Sequence, residues 1–371
     1  MERNKIIDEL KKLRERDPLF ENGRILSSVS TKPPRIALEA FNIFHDTNAL
    51  DRFLFDSINK LEREIIEWFG ILLRNREVSG YITTGGTESN IVALWSAKKI
   101  YEGRREIIVP ESAHYSIERA ADLLELEISW ISLDDEFRAR VNEIRKKIDK
   151  DTLAVIATAG TSALGVIDPI DEINKLCKDV YFHVDAAFGG FVIPFIETKE
   201  RIDFSLENLD SITIDPHKMG LSIIPSGCIL FRNNSYLERL EISPSYLGFK
   251  TWTLSGSRTG GTIAATWANI KYLGIDGYKR IVNECIENTK FLCKKLREIE
   301  GLEIVVEPTI NIVAIRTRDT ERLFLELRRR GWKILMDSKT KSIKIVVMPH
   351  VTKNVIEKFV NELKEIMRDY E

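Results

Sequence analysis

The segment SITIDPHKMG, residues 211–220, is the most informative part of this sequence. It begins as a mostly apolar run, of the kind that forms a buried strand in a parallel sheet. The run then passes at once into an acid, a proline, His217 and Lys218. Ligands of such sheets bind at the carboxyl ends of the strands. The stretch therefore predicts a lysine at the functional edge of a parallel sheet.

Short apolar runs alternate with helical patterns on both sides of this stretch. Such alternation predicts an α/β fold with a large, mainly parallel sheet covered by helices on both faces. The predicted strands are SGYITTGG, EIIVP, LEISWISL, LAVIATAG, YFHVDAA and SGCILF, and the predicted helices cover about 56–74, 87–101, 115–125, 136–149 and 169–178.

The pattern of predicted helices and strands divides the chain into three parts. Residues 1–48 are predicted to form one helix and then an irregular arm, because TKPPRIAL should break regular structure. Residues 49–255, which contain the predicted parallel sheet, are predicted to form the large domain. Residues 256–371 begin with a long helical stretch and continue with strands and helices, which predicts a small C-terminal α+β domain.

Composition excludes several classes of protein. With 371 residues, 43% hydrophobic and 30% charged, the chain is predicted to be globular. A net charge of −2 gives no basic surface for nucleic acid. No apolar run approaches the roughly 18 residues of a membrane span, and the charged N-terminal helix is unlike a signal peptide.

Cysteine and glutamine usage indicate a compartment and a source. The four cysteines lack metal-ligand spacing, so they are interpreted as reduced thiols of a cytoplasmic protein, and no metal site is expected. The chain has no glutamine and many charged residues, a bias that fits a hot-living source.

The segment YITTGGTESNIVAL, residues 81–94, is a candidate phosphate site. Two glycines follow a strand and open a helix at Thr87, and a helix N-terminus attracts anions. An ordinary turn with a threonine cap is the alternative. Neither GxxxxGK[ST] nor GxGxxG is present.

Two further strand ends carry charged side chains. Asp185 ends the run YFHVD, and Lys218 follows the next strand. Taken singly, Asp185 could cap a loop and Lys218 could be a solvated loop lysine. Together with the glycine-opened helix they match the needs of pyridoxal 5′-phosphate: a lysine for the Schiff base, an acid for the pyridine nitrogen and a cradle for the phosphate.

The segments TGGTESN, HVDAAFGG and SITIDPHKMG resemble the group II pyridoxal-phosphate-dependent amino-acid decarboxylases. The resemblance runs from about residue 45 to the C-terminus and implies the pyridoxal-phosphate-dependent transferase fold (fold type I). IPSG, GSRTGG, KYLG and VVMPH favour the archaeal aspartate/tyrosine decarboxylases, which supply β-alanine or tyramine for coenzyme biosynthesis.

The resemblance assigns the central roles. Lys218 would bond covalently to the cofactor, and Asp185 would pair with its pyridinium nitrogen. Gly86 and Thr87 would bind the phosphate, with His217 beside it.

The same resemblance assigns the surroundings of the cofactor ring. His114, in PESAHYS, would stack on one face and Ala187 on the other. Thr161 would contact the edge of the ring near its phenolic oxygen, and Asp168 would support the site from behind.

Other roles would cross to a second subunit or involve a mobile loop. Gly256 and Ser257 would reach the phosphate of the neighbouring subunit, which implies a homodimer with shared active sites. Tyr246, in SPSYLGF, would protonate the substrate carbon from a lid. TNALDRFLFD, residues 47–56, stands where relatives often carry Gly-Asp-Pro, so the substrate contacts there stay open.

The predicted reaction is decarboxylation of an L-amino acid, with L-aspartate first, L-tyrosine second and L-glutamate third. Aspartate would need a cation, for which Arg258 and Arg316 are candidates, whereas tyrosine would need an apolar slot such as Phe53 and Phe55. The alternatives are an aminotransferase, a desulfurase or a carbon–carbon lyase on the same fold, and a regulatory nucleotide-binding α/β protein. The remaining histidines are interpreted as structural: His45, His183 and His350.

Overall fold

A computed structural model describes residues 2–368. The chain forms two compact units. The larger consists of Pro33–Asn283 with Pro308–Ile310, and the smaller of the residues up to Lys32, Glu284–Glu307, and the chain from Asn311 onward.

Helices occur throughout the described chain. Three short 3₁₀ helices accompany them, at Phe20–Asn22, Gly189–Phe191 and Ile193–Phe195. The α-helices are α1 (Glu2–Arg14), α2 (Arg35–Ile43), α3 (Asp56–Leu72), α4 (Gly86–Ile100), α5 (Ser116–Leu124), α6 (Val141–Lys147), α7 (Ile170–Asn174), α8 (Ser235–Glu238), α9 (Gly260–Leu296), α10 (Thr320–Arg329) and α11 (Lys353–Arg368).

The larger unit is built on a seven-stranded sheet. Its strands are β1 (Ser79–Thr83), β2 (Glu106–Pro110), β3 (Glu127–Ile131), β4 (Thr152–Thr158), β5 (Tyr181–Asp185), β6 (Ser211–Ile214) and β7 (Gly227–Phe231). The spatial order is β1-β7-β6-β5-β4-β2-β3. The pairs from β3 to β6 are parallel, and β7 lies antiparallel between β6 and β1. The predicted mainly parallel sheet is confirmed.

Burial explains why the strand runs are apolar. Every residue of β4, β5 and β6 is buried, whereas the edge strand β3 is half-exposed along most of its length. A strand covered on both faces needs side chains that tolerate burial on both sides, so it lacks polar alternation.

The predicted irregular arm after residue 30 is wrong in one respect. Helix α2 starts immediately after Pro33-Pro34, with Pro34 at the position that precedes the first helical residue. A proline there costs no hydrogen bond, because the N–H groups of a first helical turn have no partner in the helix. The prolines therefore start a helix where the sequence analysis expected them only to break structure.

The smaller unit carries an antiparallel sheet in the order β10-β11-β9-β8. Its strands are β8 (Glu303–Ile304), β9 (Ile312–Arg316), β10 (Leu335–Asp337) and β11 (Ser342–Val346). The rings of Trp332 and Phe359 meet edge to face at 5.1 Å in its core.

Helix α9 is interrupted at Gly274, whose φ of +58° lies outside the helical range. The first part of α9, to Asn283, belongs to the larger unit, whereas its last turns belong to the smaller one. The domain boundaries at residues 49 and 256 were inferred from sequence character and stay a prediction. None of the helices within residues 2–368 is long and apolar enough to cross a membrane.

Candidate active site

The carboxyl ends of three neighbouring strands meet at one edge of the sheet. Asp185, the last residue of β5, is the register partner of Thr158 on β4 and of Thr213 on β6. Lys218 follows β6 by a turn in which its N–H donates to the carbonyl of Asp215 at 3.0 Å. The predicted acid and lysine are therefore brought together.

Two hydrogen bonds fix the Asp185 carboxylate, which is only 5% exposed. Its Oδ1 accepts from the N–H of Ala187 at 3.0 Å, and its Oδ2 accepts from Nδ2 of Asn90 at 2.9 Å. Asn90 lies on the buried side of α4. The carboxylate is thus oriented from two elements before any ligand is considered.

A buried chain of polar groups stands behind Asn90. Its Oδ1 accepts from Nε2 of His183 at 3.0 Å, and Nδ1 of His183 meets the Ser211 hydroxyl at 2.8 Å. The Tyr181 hydroxyl in turn donates to Ser211 at 2.8 Å. Burial lowers the pKa of His183 to about 4, so a neutral imidazole holds Asn90 against Asp185. His183 was predicted to be structural, and no role was predicted for Asn90.

His114 joins the same network through Ser116. Its Nδ1 lies 2.9 Å from the Ser116 hydroxyl, which also accepts from Nδ2 of Asn90 at 2.8 Å. The His114 ring contacts the ring of Tyr115, with centroids 4.1 Å apart. The loop before α5 is therefore tied to the residues that hold Asp185.

Lys218 forms an ion pair with Asp215, with Nζ 2.9 Å from Oδ2. Burial favours the neutral amine, but the carboxylates of Asp215 and Asp185 outweigh it and raise the pKa of Lys218. The lysine side chain is 19% exposed and Asp215 only 2%. No role was predicted from the sequence for Asp215.

The first turn of α4 forms a cradle beside this pair. Gly85 has a φ of +148°, which favours glycine, and a Cβ on Gly86 would lie 3.0 Å from Oδ2 of Asp215. The first intrahelical bond of this turn is from Ser89 to Gly85 at 3.1 Å. The N–H groups of Gly86 and Thr87 precede that bond and are available to an anion.

Two further predicted residues line this cradle. The Cβ of Ala187 lies 3.2 Å from the position of a Cβ on Gly86, and the His217 ring lies 3.5 Å from that of a Cβ on Gly85. A space that only glycine leaves open, beside a helix N-terminus and a lysine, fits the phosphate and aldehyde of pyridoxal phosphate.

Glu88, in the first turn of α4, connects the cradle to two neighbouring segments of the chain. Its Oε2 accepts from the N–H and hydroxyl of Thr84 at 2.8 and 2.6 Å. Its Oε1 accepts from the Ser255 hydroxyl at 3.0 Å. The chain around Ser255 is thereby fastened to the first turn of α4, a link that sequence analysis did not find.

Thr161 and Asp168 shape the loop after β4. The Thr161 hydroxyl accepts from the N–H of Val166 at 3.1 Å, so it is used inside the loop. Asp168 is fully buried and accepts from the N–H groups of Thr158 at 2.7 Å and Ala139 at 2.8 Å. Burial raises the pKa of Asp168 to about 6. The contact of Thr161 with a cofactor stays a prediction.

Within residues 2–368, no hydrogen bond or ion pair joins three of the predicted residues, Gly256, Ser257 and Tyr246, to Lys218. Gly256 and Ser257 are exposed, and the Ser257 hydroxyl accepts from Nδ2 of Asn48 at 3.1 Å. Tyr246 is 83% exposed on a loop whose ends, Ile242 and Thr251, are joined by two backbone hydrogen bonds. Their roles in a shared site and a lid stay predictions.

Both arginines considered for the substrate are already paired. Arg258 is buried and bonds Glu62 through both terminal nitrogens, and Arg316 bonds Glu303 at 2.7 Å. Arg52 differs from them: it is half-buried, its guanidinium carbon lies 4.1 Å from the centre of a tryptophan ring, and no ion pair joins it to a carboxylate within residues 2–368.

Comparison with known proteins covers nearly the whole chain. Residues 55–318 match the profile described as the pyridoxal-dependent decarboxylase conserved domain. The chain is 41% identical to a protein of Archaeoglobus fulgidus named probable L-aspartate decarboxylase, over 98% of this chain and 99% of the relative. It is 45% identical to a Methanocella arvoryzae protein named probable L-tyrosine/L-aspartate decarboxylase, over 98% and 97% respectively.

Solved structures share the fold. Sphingosine-1-phosphate lyase from Burkholderia pseudomallei matches with a TM-score of 0.91 and 25% identity, covering 99% of this chain and 91% of that one. Glutamate decarboxylase from Lactobacillus brevis matches with a TM-score of 0.88 and 21% identity, covering 98% and 92%. The predicted fold class is confirmed.

Proposed function

We propose a substrate and site roles for this chain on the premise that it belongs to the family of pyridoxal-dependent decarboxylases. It is accordingly a carboxy-lyase of amino acids, and its cofactor is pyridoxal 5′-phosphate. We propose that the substrate is L-aspartate, released as β-alanine and CO₂, with L-tyrosine second and L-glutamate third. The pairing of Lys218 with a buried acid beside the α4 cradle is the observation that carries the site assignment.

Each residue of the candidate site has its own role toward the cofactor. Pyridoxal phosphate supplies an aldehyde for attachment and a ring that accepts the electron pair left when CO₂ departs. Lys218 would supply the amine, and Asp185, whose carboxylate is oriented by Asn90 and Ala187, would hold a proton at the ring nitrogen. The N–H groups of Gly86 and Thr87 would hold the phosphate.

The surrounding residues would orient and enclose the ring. His114, which is held through Ser116, would cover one face, and Ala187 the other. His217 would lie beside the phosphate, and Thr161 at the edge of the ring. Tyr246 would deliver a proton to the substrate carbon from its loop.

Two considerations support aspartate. Relatives of this chain are named for L-aspartate or for both L-tyrosine and L-aspartate. An aspartate side chain also needs a cation, and Arg52 has no carboxylate partner within residues 2–368. Burial and the charge of Arg258 lower the pKa of Arg52 against the attraction of Glu62, so an added carboxylate would be stabilising. We propose that Arg52 binds it.

Steady-state kinetics on aspartate, tyrosine and glutamate test the proposal, with CO₂ and amine measured together. Aspartate should give the highest kcat/KM, and Lys218→Ala should abolish turnover. Equal amounts of CO₂ and β-alanine support decarboxylation. A keto acid or an aldehyde would instead favour the aminotransferase or carbon–carbon lyase alternative. A tenfold preference for tyrosine, about 1.4 kcal/mol in transition-state binding, would overturn the choice of aspartate alone.

Variants of Arg52 test the substrate cation. Arg52→Met should lower kcat/KM for aspartate by roughly 100-fold, the size of a lost charge-assisted hydrogen-bond pair. Tyrosine turnover should change little. Arg63→Met, on the exposed side of α3, is the matched control. Equal losses for both substrates would show that Arg52 has a structural role only.

We further propose a cytoplasmic homodimer with shared sites, from a hot-living source, whose product serves coenzyme biosynthesis. The exposure of Gly256 and Ser257 supports a contact with a second subunit. The four buried free cysteines support a reducing compartment. The lack of glutamine and the 57 acidic and 55 basic residues support growth at high temperature.

A further inference from the structure

Glu88 and Ser255 are joined by a hydrogen bond to which the roles described above give no function. We propose that both are positioning residues. Through their bond, the turn of α4 at one active site sets the conformation of residues 255–257, which reach the phosphate of the neighbouring site. Cofactor binding at one site then favours binding at the other. This inference rests on the proposed dimer with shared sites.

The end of this link at the cradle is buried. Glu88 directly follows Gly86 and Thr87, whose N–H groups are available to an anion, and it is only 6% exposed. Its Oε2 accepts from the N–H and the hydroxyl of Thr84, and its Oε1 accepts from the Ser255 hydroxyl. The carboxylate therefore transmits a change in the first turn of α4 to the Ser255 side chain.

The segment 255–257 is held at both of its ends by other contacts. On one side, the N–H of Leu254 donates to the hydroxyl of Tyr81 at 3.1 Å, and Tyr81 is fully buried. On the other side, the N–H of Arg258 donates to Oδ1 of Asn48 at 3.1 Å, and the Arg258 side chain is buried. Three residues between two fixed ends have few conformations, so one hydrogen bond is enough to select among them.

The bond between Ser255 and Glu88 is the direct route from the cradle to this segment. Within residues 2–368, no other hydrogen bond joins the segment 255–257 to the first turn of α4. The anchor at Tyr81 lies in β1, which is paired with β7 along its whole length. That anchor therefore stays in place whether or not an anion is bound at the cradle.

The order that an anion brings to a helix start explains why the two sites should be coupled. The first N–H groups of a helix have no partner within the helix, so a bound phosphate orders that turn. A ligand that orders a segment lowers the entropic cost of ordering it for a second ligand. In a symmetric dimer, each cofactor orders its own cradle and, through Glu88 and Ser255, the segment that serves the other site. The second cofactor should therefore bind more tightly than the first.

Native mass spectrometry measures this coupling, because it resolves dimers that carry none, one or two cofactors. Cofactor-free protein is equilibrated with pyridoxal 5′-phosphate, and the singly loaded fraction of dimers is read at half-saturation. Independent, equal sites give a fraction of about 0.5, whereas a coupling of about fivefold, the low end of the usual range, lowers it to about 0.3. The wild type should show a fraction of about 0.3 or less.

Ser255→Ala removes the hydroxyl and leaves the bonds between Glu88 and Thr84 in place. Its singly loaded fraction should rise to about 0.5. Ser235→Ala removes a hydroxyl that bonds Asn233 at an exposed position, so it is the matched control and should behave as the wild type. A wild-type fraction of about 0.5 would overturn the proposal. An unchanged low fraction in Ser255→Ala would overturn it as well, because the coupling would then use another route.

Ser257→Glu separates a failure of this link from a failure of the shared site. The added carboxylate would lie beside the phosphate of the neighbouring site and should weaken cofactor binding by roughly tenfold or more. Unchanged affinity would refute the shared site itself. Weakened affinity together with uncoupled binding in the wild type would leave the shared site standing and refute the link alone.

Discussion

At the scale of single residues, the Asp185 carboxylate is held in place by uncharged groups, among them the neutral imidazole of His183 acting through Asn90. His183 is buried with a pKa lowered to about 4, whereas an exposed histidine titrates near 6.5. Because the folded protein disfavours the proton, His183 contributes stability above pH 6.5 that is lost as the pH falls toward 4. The full effect is about 3 kcal/mol. Asp168 and Asp210 act in the opposite direction, since burial raises the pKa of each to about 6.

The pH dependence of stability should therefore change when His183 is replaced by Gln, which cannot be charged. Urea midpoints of His183→Gln and the wild type should differ less at pH 4.5 than at pH 7. The wild type loses stability as the pH falls because its folded state keeps His183 unprotonated, whereas the variant has no ionisable group at this position. Asp168 and Asp210 are present in both proteins, so their effects cancel. His45→Gln, at an exposed position, is the control. A pH-independent difference between the two proteins would contradict this account.

At the scale of elements, the start of α4 combines glycine with a helix N-terminus. Gly86→Ala would place a Cβ 3.0 Å from Oδ2 of Asp215 and 3.2 Å from the Cβ of Ala187. Alanine is favoured over glycine in a helix by about 1 kcal/mol, so the helix itself should not suffer. Cofactor affinity should fall more than tenfold, while the melting temperature of the cofactor-free protein should stay nearly unchanged.

Absorbance titration with pyridoxal phosphate and a thermal melt measure the two quantities separately. Gly277→Ala, inside α9, is the control: its Cβ would lie 2.9 Å from the Cβ of Leu273, so it should lower the melting temperature but retain full cofactor affinity. If Gly86→Ala lowers the melting temperature as much as the affinity, the glycine serves packing and the cradle assignment loses its support.

Elements also show how far the sequence could predict the fold. Strands β4, β5 and β6 were predicted because burial on both faces makes a strand apolar throughout. The position of β7 could not be predicted, since an apolar run carries no label for its partners or its direction. Helix α2 was missed because prolines precede helices as well as break them. Asn90 and Glu88 escaped notice because polar side chains in a first helical turn look like ordinary caps.

At the scale of the whole molecule, the proposed dimer with shared sites makes a quantitative prediction about mixed dimers. Lys218→Ala and Ser257→Glu should each inactivate a homodimer. In a mixed dimer, one site has both defects and the other has an intact Lys218 and an intact Ser257. Random mixing yields half mixed dimers by twofold symmetry, so activity should recover to about a quarter of the wild type. No recovery after subunit exchange, checked by mass spectrometry of intact dimers, would place Ser257 outside the site.

The antiparallel strand β7 also imposes an order of events on folding. Ser79 of β1 is paired with Phe231 of β7, and Phe231 also pairs with Ser211 of β6. During synthesis β1 emerges early but has no strand neighbour until β7 has been made, whereas β2 to β6 pair with one another without β7. Closing so long a loop is slow relative to local helix formation. The turn that carries Lys218 lies between β6 and β7, and the N–H of His217 in it donates to the carbonyl of Ser226, next to the start of β7. We therefore expect the protein to capture its cofactor only after β7 has docked.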